Sequence, residues 1–528
     1  NKAIIPVDIL NPYELQPYAY LAMYEPTVQK ASSLWAGNLK RYGIGQKGLI
    51  VDQENSTIFE DNGLVKNSSK DLWENSPLSD SEKLKARLFQ GGALNELKLG
   101  HSAGGALERK IYTTRECLEE ADAVLCKQND KVKLTQLDKN YFTDNISKND
   151  QYRGYLLGLL GYDIANPKTI SDEEIQDLWQ YKQPELRQMG AILHSDPVLL
   201  TQKGKVIRSG TQIVSEDRED YVLFGTTQGV LHVLDADTGE EKFAFVPDEM
   251  VKNNHPAFIN PNLSEGAGKF LYGIDGAWTV YSEYIPANQS DQTLTVGKNQ
   301  ASNLSGKQWV YGGLRMGGSS YYALDLSDIN QPSVKFHIDP QTHTVYTPTG
   351  SKVYSALKYM GQSWSKPVIT RVNWQGEDKL VMIVGGGYDD TGKNNGYEDP
   401  QYAQNADNRI GAGVYMFDAE TGDLLWWASS NVNYNQPSAG DDSIGSHVDD
   451  LGYSVVSTIK AVDRDGDSLT DHLYFGDLGG QFWRIDLNNF PKTVPDPDDQ
   501  SKKVNQPFAA HIVRLLNLRP TAQPTKTP

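Results

Sequence analysis

Cysteine is almost absent from this chain: Cys117 and Cys126 are the two in 528 residues. That excludes a cysteine-rich zinc cluster or a small domain stapled by several disulfides, and leaves one pair that could join if the protein is exported. Positive charge is scarce as well. With 50 Lys and Arg against 68 Asp and Glu the formal balance is −18, which excludes a basic grip on nucleic acid. Long apolar runs are missing: hydrophobic residues make up 38% of the chain, and no stretch nears the roughly eighteen consecutive apolar residues of a membrane span. The expectation is a soluble chain that does not span a membrane. The first residue is Asn1 rather than Met and no charged-then-apolar leader follows, so the sequence reads as a fragment or a processed product.

Turn formers and aromatics are plentiful. The chain has 47 Gly, 25 Pro, 28 Tyr, 14 Phe and 10 Trp, which favours many short strands joined by many turns. Between about residues 190 and 489 a unit recurs: an apolar run, a Gly turn, a second apolar run ending in Asp, and another turn before an aromatic. Clear copies occupy residues 221–245, 309–336, 381–427 and 472–487, with a weaker one at 270–284. In DADTGEE (235–241) and DAETGDL (418–424) the Asp can accept backbone N–H bonds within the turn while Gly239 and Gly422 take positive φ, which is hairpin chemistry. Five such units, roughly 40–70 residues apart, point to an all-β fold of propeller blades.

The first part of the chain differs. Residues 19–44 read as paired strands around a turn, whereas 81–88, 114–125 and 172–186 carry Glu/Lys/Leu-rich helical patterns. The expected organisation is a single propeller domain: an early blade at about 1–75, a mostly helical insertion at about 75–188, main blades at about 189–516, and a disordered tail at 517–528. A polar excursion at 388–409 suits an exposed or ligand-binding loop, and a last apolar strand at 511–516 suits closure of the ring.

The segment with most chemical meaning is DRDGDSLTD. Asp463, Asp465, Asp467 and Asp471 stand at positions 1, 3, 5 and 9 of a tight loop, with the Leu469 carbonyl available at position 7. Alternate carboxylates plus one backbone oxygen suit Ca²⁺, which takes six to eight oxygens at about 2.3–2.6 Å, better than Mg²⁺ with its stricter octahedron. An EF-hand is a poor match, because its Gly position is Ser468 here, its last Glu position is Tyr474, and a strand-like HLYFG follows. Asp477, just beyond, reads as a turn or cap residue. Residues 52–60 space oxygen ligands similarly, but Ile58 and Phe59 suit a strand.

The run 454–487, SVVSTIKAVDRDGDSLTDHLYFGDLGGQFWRIDL, resembles the PilY/PilC family of type IV pilus tip-associated biogenesis factors and adhesins. The pattern is a strand, a nine-residue Asp-rich calcium loop, an Asp-Leu-Gly-Gly turn and an aromatic-Arg-apolar-Asp strand. Residues 34–44, 99–114, 189–198 and 361–369 are similar to further segments of that family. The resemblance implies a modified, seven-bladed β-propeller at the carboxy-terminal side of a larger exported protein on the bacterial surface, pilus tip or outer membrane, preceded in many members by a von Willebrand factor A-like domain. It implies a non-enzymatic module that binds calcium through Asp463, Asp465, Asp467, the Leu469 carbonyl and Asp471. It further implies support of pilus extension against retraction, of twitching motility and of host-cell adhesion, with minor pilins or the pilus tip and a host receptor as partners. Many members have Gly where this chain has Ser468. No Arg-Gly-Asp tripeptide is present.

Competing signals are weaker. Gly100, Ser102 and Gly104 fit the G-x-S-x-G elbow of α/β hydrolases, but NELKL before them is no buried strand and no βαβ alternation surrounds them. The hairpins with Asp-Ala-x-Thr-Gly also occur in pyrroloquinoline-quinone dehydrogenases, the main alternative, yet those usually carry an adjacent-Cys disulfide, and Cys117 and Cys126 are nine positions apart. The nine His show no metal-ligand spacing, the Gly385-Gly386-Gly387 run precedes no helix, and Trp426, Trp427 and Trp483 read as packing residues.

Overall fold

The computed structural model describes residues 2–518 except 13, 28–33, 75–85, 102–107, 122, 182–183, 263–268, 289–291, 391–408, 434–440, 490–492 and 497. Strands hold 41% of the described residues and helices 12%, so the all-β expectation is met at that level. Most of the polar excursion, the Ser of the hydrolase-like motif, most of the first helical pattern (81–88) and nearly all of the expected disordered tail fall outside the described residues.

Two compact units divide the chain: residues 1–310 with 325–333, and residues 311–324 with 334–528. In the first, Tyr18–Glu25 and Ala36–Ile44 pair antiparallel within a four-stranded sheet, as the sequence predicts. An eight-stranded sheet follows, centred on Val198–Ser209, Gln212–Gly225, Leu231–Asp235 and Glu241–Phe245, with Ile111–Thr113 joining in parallel to Glu241–Phe245. Alternation buries Tyr20, Ala22, Leu39, Val222, Phe224 and Leu234 together around Trp73. In the second unit, Val368–Trp374, Glu377–Gly385, Val414–Asp418, Leu424–Ser429 and Ile444–His447 make one sheet. Lys460–Val462, His472–Gly476, Gln481–Leu487 and Ala509–Asn517 make another, which places the expected last strand antiparallel to Gln481–Leu487. Val381, Ile383, Met416, Trp426, Leu473, Phe475, Trp483 and Ile485 pack between these two sheets as one core.

The repeated hairpins form as their chemistry requires. Asp235 accepts N–H bonds from Asp237 and Thr238, at 2.8 and 3.1 Å, and Asp418 does the same for Glu420 and Thr421, at 2.8 and 3.2 Å. Gly239 and Gly422 close the turns at φ +76° and +79°.

The region read as mostly helical is mixed. Helices Gly92–Glu96, Lys139–Thr143, Arg153–Leu159 and Asp172–Tyr181 alternate with strands Ile111–Thr113, Glu116–Glu120, Ala123–Lys127 and Thr135–Gln136. Of the helical pattern expected at 172–186, Asp172–Tyr181 forms a helix and residues 184–186 are not helical. The helix starts at a capping box in which Ser171 N–H donates to Glu174 at 2.7 Å and Glu174 N–H to Ser171 at 3.2 Å, and it buries Ile175, Leu178 and Trp179. The helix expected at 114–125 is instead an antiparallel hairpin. Leu118 and Leu125 face one another across it, and Cys117 opposite Cys126 forms a disulfide. That cross-strand bond and the turn through Ala121 at φ +54° override helical propensity.

Candidate metal centre

The loop 463–471 joins the antiparallel strands Lys460–Val462 and His472–Gly476. Asp471 sits where three strands meet: its N–H donates to Val462 O at 2.9 Å, and its carbonyl accepts from Leu487 N–H at 2.8 Å. Behind the loop, buried Thr470 donates its N–H to Arg371 O at 2.8 Å and shares a 2.7 Å hydroxyl contact with Thr370. The exposed turn is thus anchored to the next sheet of its own unit.

Oxygens of Asp463, Asp465 and Asp471 converge within 4.8 Å of one another. Two oxygens bound to one Ca²⁺ at about 2.4 Å can be no more than about 5 Å apart, so these three donors fit such an ion in number, hardness and spacing. Without a cation, three carboxylates this close repel one another. Asp463 is held by the N–H groups of Gly466 and Ser468, at 2.7 and 2.9 Å, and Asp465 by Asp467 N–H at 3.2 Å. Asp467 stands outside the three-carboxylate group and accepts from Leu469 N–H at 2.8 Å, while Leu469 itself is half-buried. The turn needs left-handed backbone twice, at Gly466 (φ +82°) and at Ser468 (φ +74°).

Asp471 is the best anchored of the five. Its Oδ2 accepts from Arg464 N–H and its Oδ1 from the Asn489 amide, both at 2.7 Å. Partial burial pushes its carboxyl upward, but these donors and the nearby His472 and Arg464 outweigh that and hold it below the usual carboxylate range. Loop spacing gave no sign of Asn489, which lies eighteen residues beyond Asp471 and reaches it only because Gln481–Leu487 folds back on His472–Gly476.

Nearby groups have structural duties. Asp477 accepts from Trp483 Nε1 at 2.9 Å, Gln481 Nε2 at 2.8 Å and Gln481 N–H at 3.0 Å, which is the turn role expected of it. Asp52 caps its own turn through Glu54 and Ser56 N–H. Trp426 and Trp483 are buried in the core between the two sheets. Cys117 and Cys126 are bonded across a hairpin, unlike an adjacent-residue disulfide.

No family model matches the chain. Among curated proteins it is 24% identical over 320 residues to a "Type IV pilus biogenesis factor PilY1 homolog" of Xylella fastidiosa, covering 57% of this chain and 17% of that protein. It is 22% identical over 493 residues to "Type IV pilus biogenesis factor PilY1" of Pseudomonas aeruginosa strain PAK, covering 91% of this chain and 32% of the relative. The chain therefore spans a third or less of these relatives. Among solved structures, the Pseudomonas aeruginosa PilY1 C-terminal domain aligns at 21% identity and TM-score 0.31 over 51% of this chain and 39% of that one. A europium-containing methanol dehydrogenase aligns at 11% identity and TM-score 0.26 over 89% of this chain and 62% of that one. Scores this low establish no shared fold.

Proposed function

The chain belongs to the PilY/PilC family, and on that premise we propose that it is a non-enzymatic calcium-binding module of a type IV pilus biogenesis protein. The observation that carries the reading is the convergence of Asp463, Asp465 and Asp471 in the loop through which the chain most resembles that family. On this reading Ca²⁺ is held by those three, by Asp467 once it turns inward, and by the Leu469 carbonyl. The ion would offset the charge of the loop and fix the start of the strand His472–Gly476. A ligand shifts an equilibrium only by its differential affinity for the two states, so calcium orders this surface rather than refolding the sheets behind it.

The fold that goes with this reading is a modified, seven-bladed β-propeller. It is supported by a repeated junction within each unit. Ser195 accepts the N–H of Gly225 and Ser365 that of Gly385, at 2.8 and 2.9 Å, and a Cβ on either glycine would collide with a backbone carbonyl, of Ile274 and of Val455 respectively. The Cys117–Cys126 disulfide supports export to an oxidising compartment, hence a place at the cell surface, pilus tip or outer membrane. Among the described residues no helix is long and apolar enough to cross a membrane. The partners on this reading are minor pilins or other pilus-tip components, and a host-cell receptor where the protein acts in adhesion.

The test is genetic. Asp465 and Asp467 are replaced by Ala in the bacterium, and surface piliation, twitching and host-cell attachment are measured with and without the retraction motor. The reading predicts fewer surface pili and weaker twitching when the motor is present, with piliation restored when it is deleted. Unchanged behaviour in every assay, with calcium loss demonstrated, would remove the site from pilus function.

A further inference from the structure

Asn489 combines features that stability alone does not explain. Its Nδ2 donates to Asp471 Oδ1 at 2.7 Å and to Thr470 O at 3.2 Å. Its Oδ1 is buried and takes a hydrogen bond from no described residue. The amide orientation follows from its neighbours, because turning it over would press the oxygen against two other oxygens. A buried acceptor left without a donor is unfavourable, and an apolar side chain of similar volume would avoid it. What the amide supplies is a donor aimed at one carboxylate oxygen of Asp471, while Arg464 N–H holds the other. The carboxylate is thereby fixed at both ends, facing Asp463 and Asp465.

We propose that Asn489 is a positioning residue for the loop's cation, preorganising Asp471 as a ligand from outside the nine-residue loop. The inference rests on the calcium reading of the loop. The residue touches the ligand and not the ion, so its loss leaves the donor set intact in composition but frees one donor to rotate. A ligand that must be ordered on binding weakens affinity through the rotamer freedom it gives up. A loosely held Asp471 also leaves room for water at the ion.

Asn489→Leu keeps the volume, removes the donor and removes the orphaned oxygen. The purified chain and this variant are compared by calcium calorimetry, by thermal melting without metal, and by Tb³⁺ luminescence lifetimes in H₂O and D₂O, which count waters on the ion. The expected result is about tenfold weaker calcium binding and about one extra water on Tb³⁺, with a metal-free melting temperature no lower than the parent's. A purely structural role would instead lower the melting temperature and leave the hydration count alone, which would overturn the inference. Equal affinity and equal hydration would overturn it too. If the parent bound no calcium, the underlying reading would fail first, a result distinct from a parent that binds and a variant that binds equally well. Asn489→Ala reads the same quantities should the Leu variant not fold.

Discussion

Ser468 occupies left-handed backbone at φ +74° in the middle of the Asp-rich loop, a conformation that costs a non-glycine residue about 1 kcal/mol. Side-chain shape therefore sets an order at this position. Ser468→Gly should stabilise the metal-free unit by about 0.5–1 kcal/mol, and Ser468→Val should destabilise it by more than 1 kcal/mol, because branching at Cβ worsens the same clash. Urea unfolding of the three proteins checks the order, and a Val variant as stable as the parent would show that the strain is absent. Asp477 makes a contrasting case. Asp477→Ala leaves the indole N–H of Trp483 and the Gln481 amide without their acceptor, which predicts a loss of about 1–3 kcal/mol with calcium affinity unchanged. A drop in affinity at constant stability would make Asp477 a ligand after all. The convergence of Asp463, Asp465 and Asp471 was legible because their pattern lies along a single loop, whereas Asp467, which the same spacing includes, stands outside the group. Asn489 was not legible, since the contact that makes it matter depends on strand pairing across eighteen residues.

At the scale of elements, the hairpin Glu116–Glu120 and Ala123–Lys127 is a two-stranded sheet of its own, and a lone hairpin is marginal in water. Its base is firm: buried Arg115 binds Asp150 through two 2.7 Å bonds and Asp248 at 2.6 Å. The disulfide should therefore be what keeps the arm ordered, contributing about 2–3 kcal/mol by closing a loop of roughly ten residues. Replacing Cys117 and Cys126 together by Ser should speed amide exchange in residues 116–127 while the sheets of the first unit stay protected. Uniform loss of protection across that unit would give the bond a global role. Here the sequence misled, since a Glu- and Leu-rich stretch reads as helix and the pairing of two cysteines nine apart is a tertiary fact. The helix Asp172–Tyr181 was legible because its cap and apolar face lie within one stretch. The repeated hairpins were legible for the same reason, each turn being specified by its own Asp and Gly.

Over the whole molecule, acid should weaken a buried triad in the first unit. Glu241 lies between Arg109 at 2.8 Å and His232 at 2.7 Å. Burial alone would raise its carboxyl, but the Arg109 charge and the His232 bond outweigh that and lower it to about 2. His232 is held below its usual value by burial. Both groups then bind fewer protons folded than unfolded as pH falls, so stability declines below about pH 6.5 through His232 and more steeply from about pH 4.5 toward 2 through Glu241. The carboxyl contributes on the order of 3 kcal/mol at neutral pH, a pH-dependent contribution that Glu241→Gln should remove. Denaturant unfolding of both proteins between pH 7 and pH 3 measures this, and parallel curves would contradict it. Calcium should act in the opposite sense, raising the stability of the second unit by about 2.7 kcal/mol at a hundredfold excess over Kd. The central claim rests on that ion. Calorimetric titration of the metal-free chain with Ca²⁺, beside the Asp463→Ala, Asp465→Ala and Asp471→Ala variants, tests it most directly. One ion per parent chain, bound at least tenfold more weakly by each variant, is the predicted result, and no binding by the parent, or equal binding by all four proteins, would contradict it.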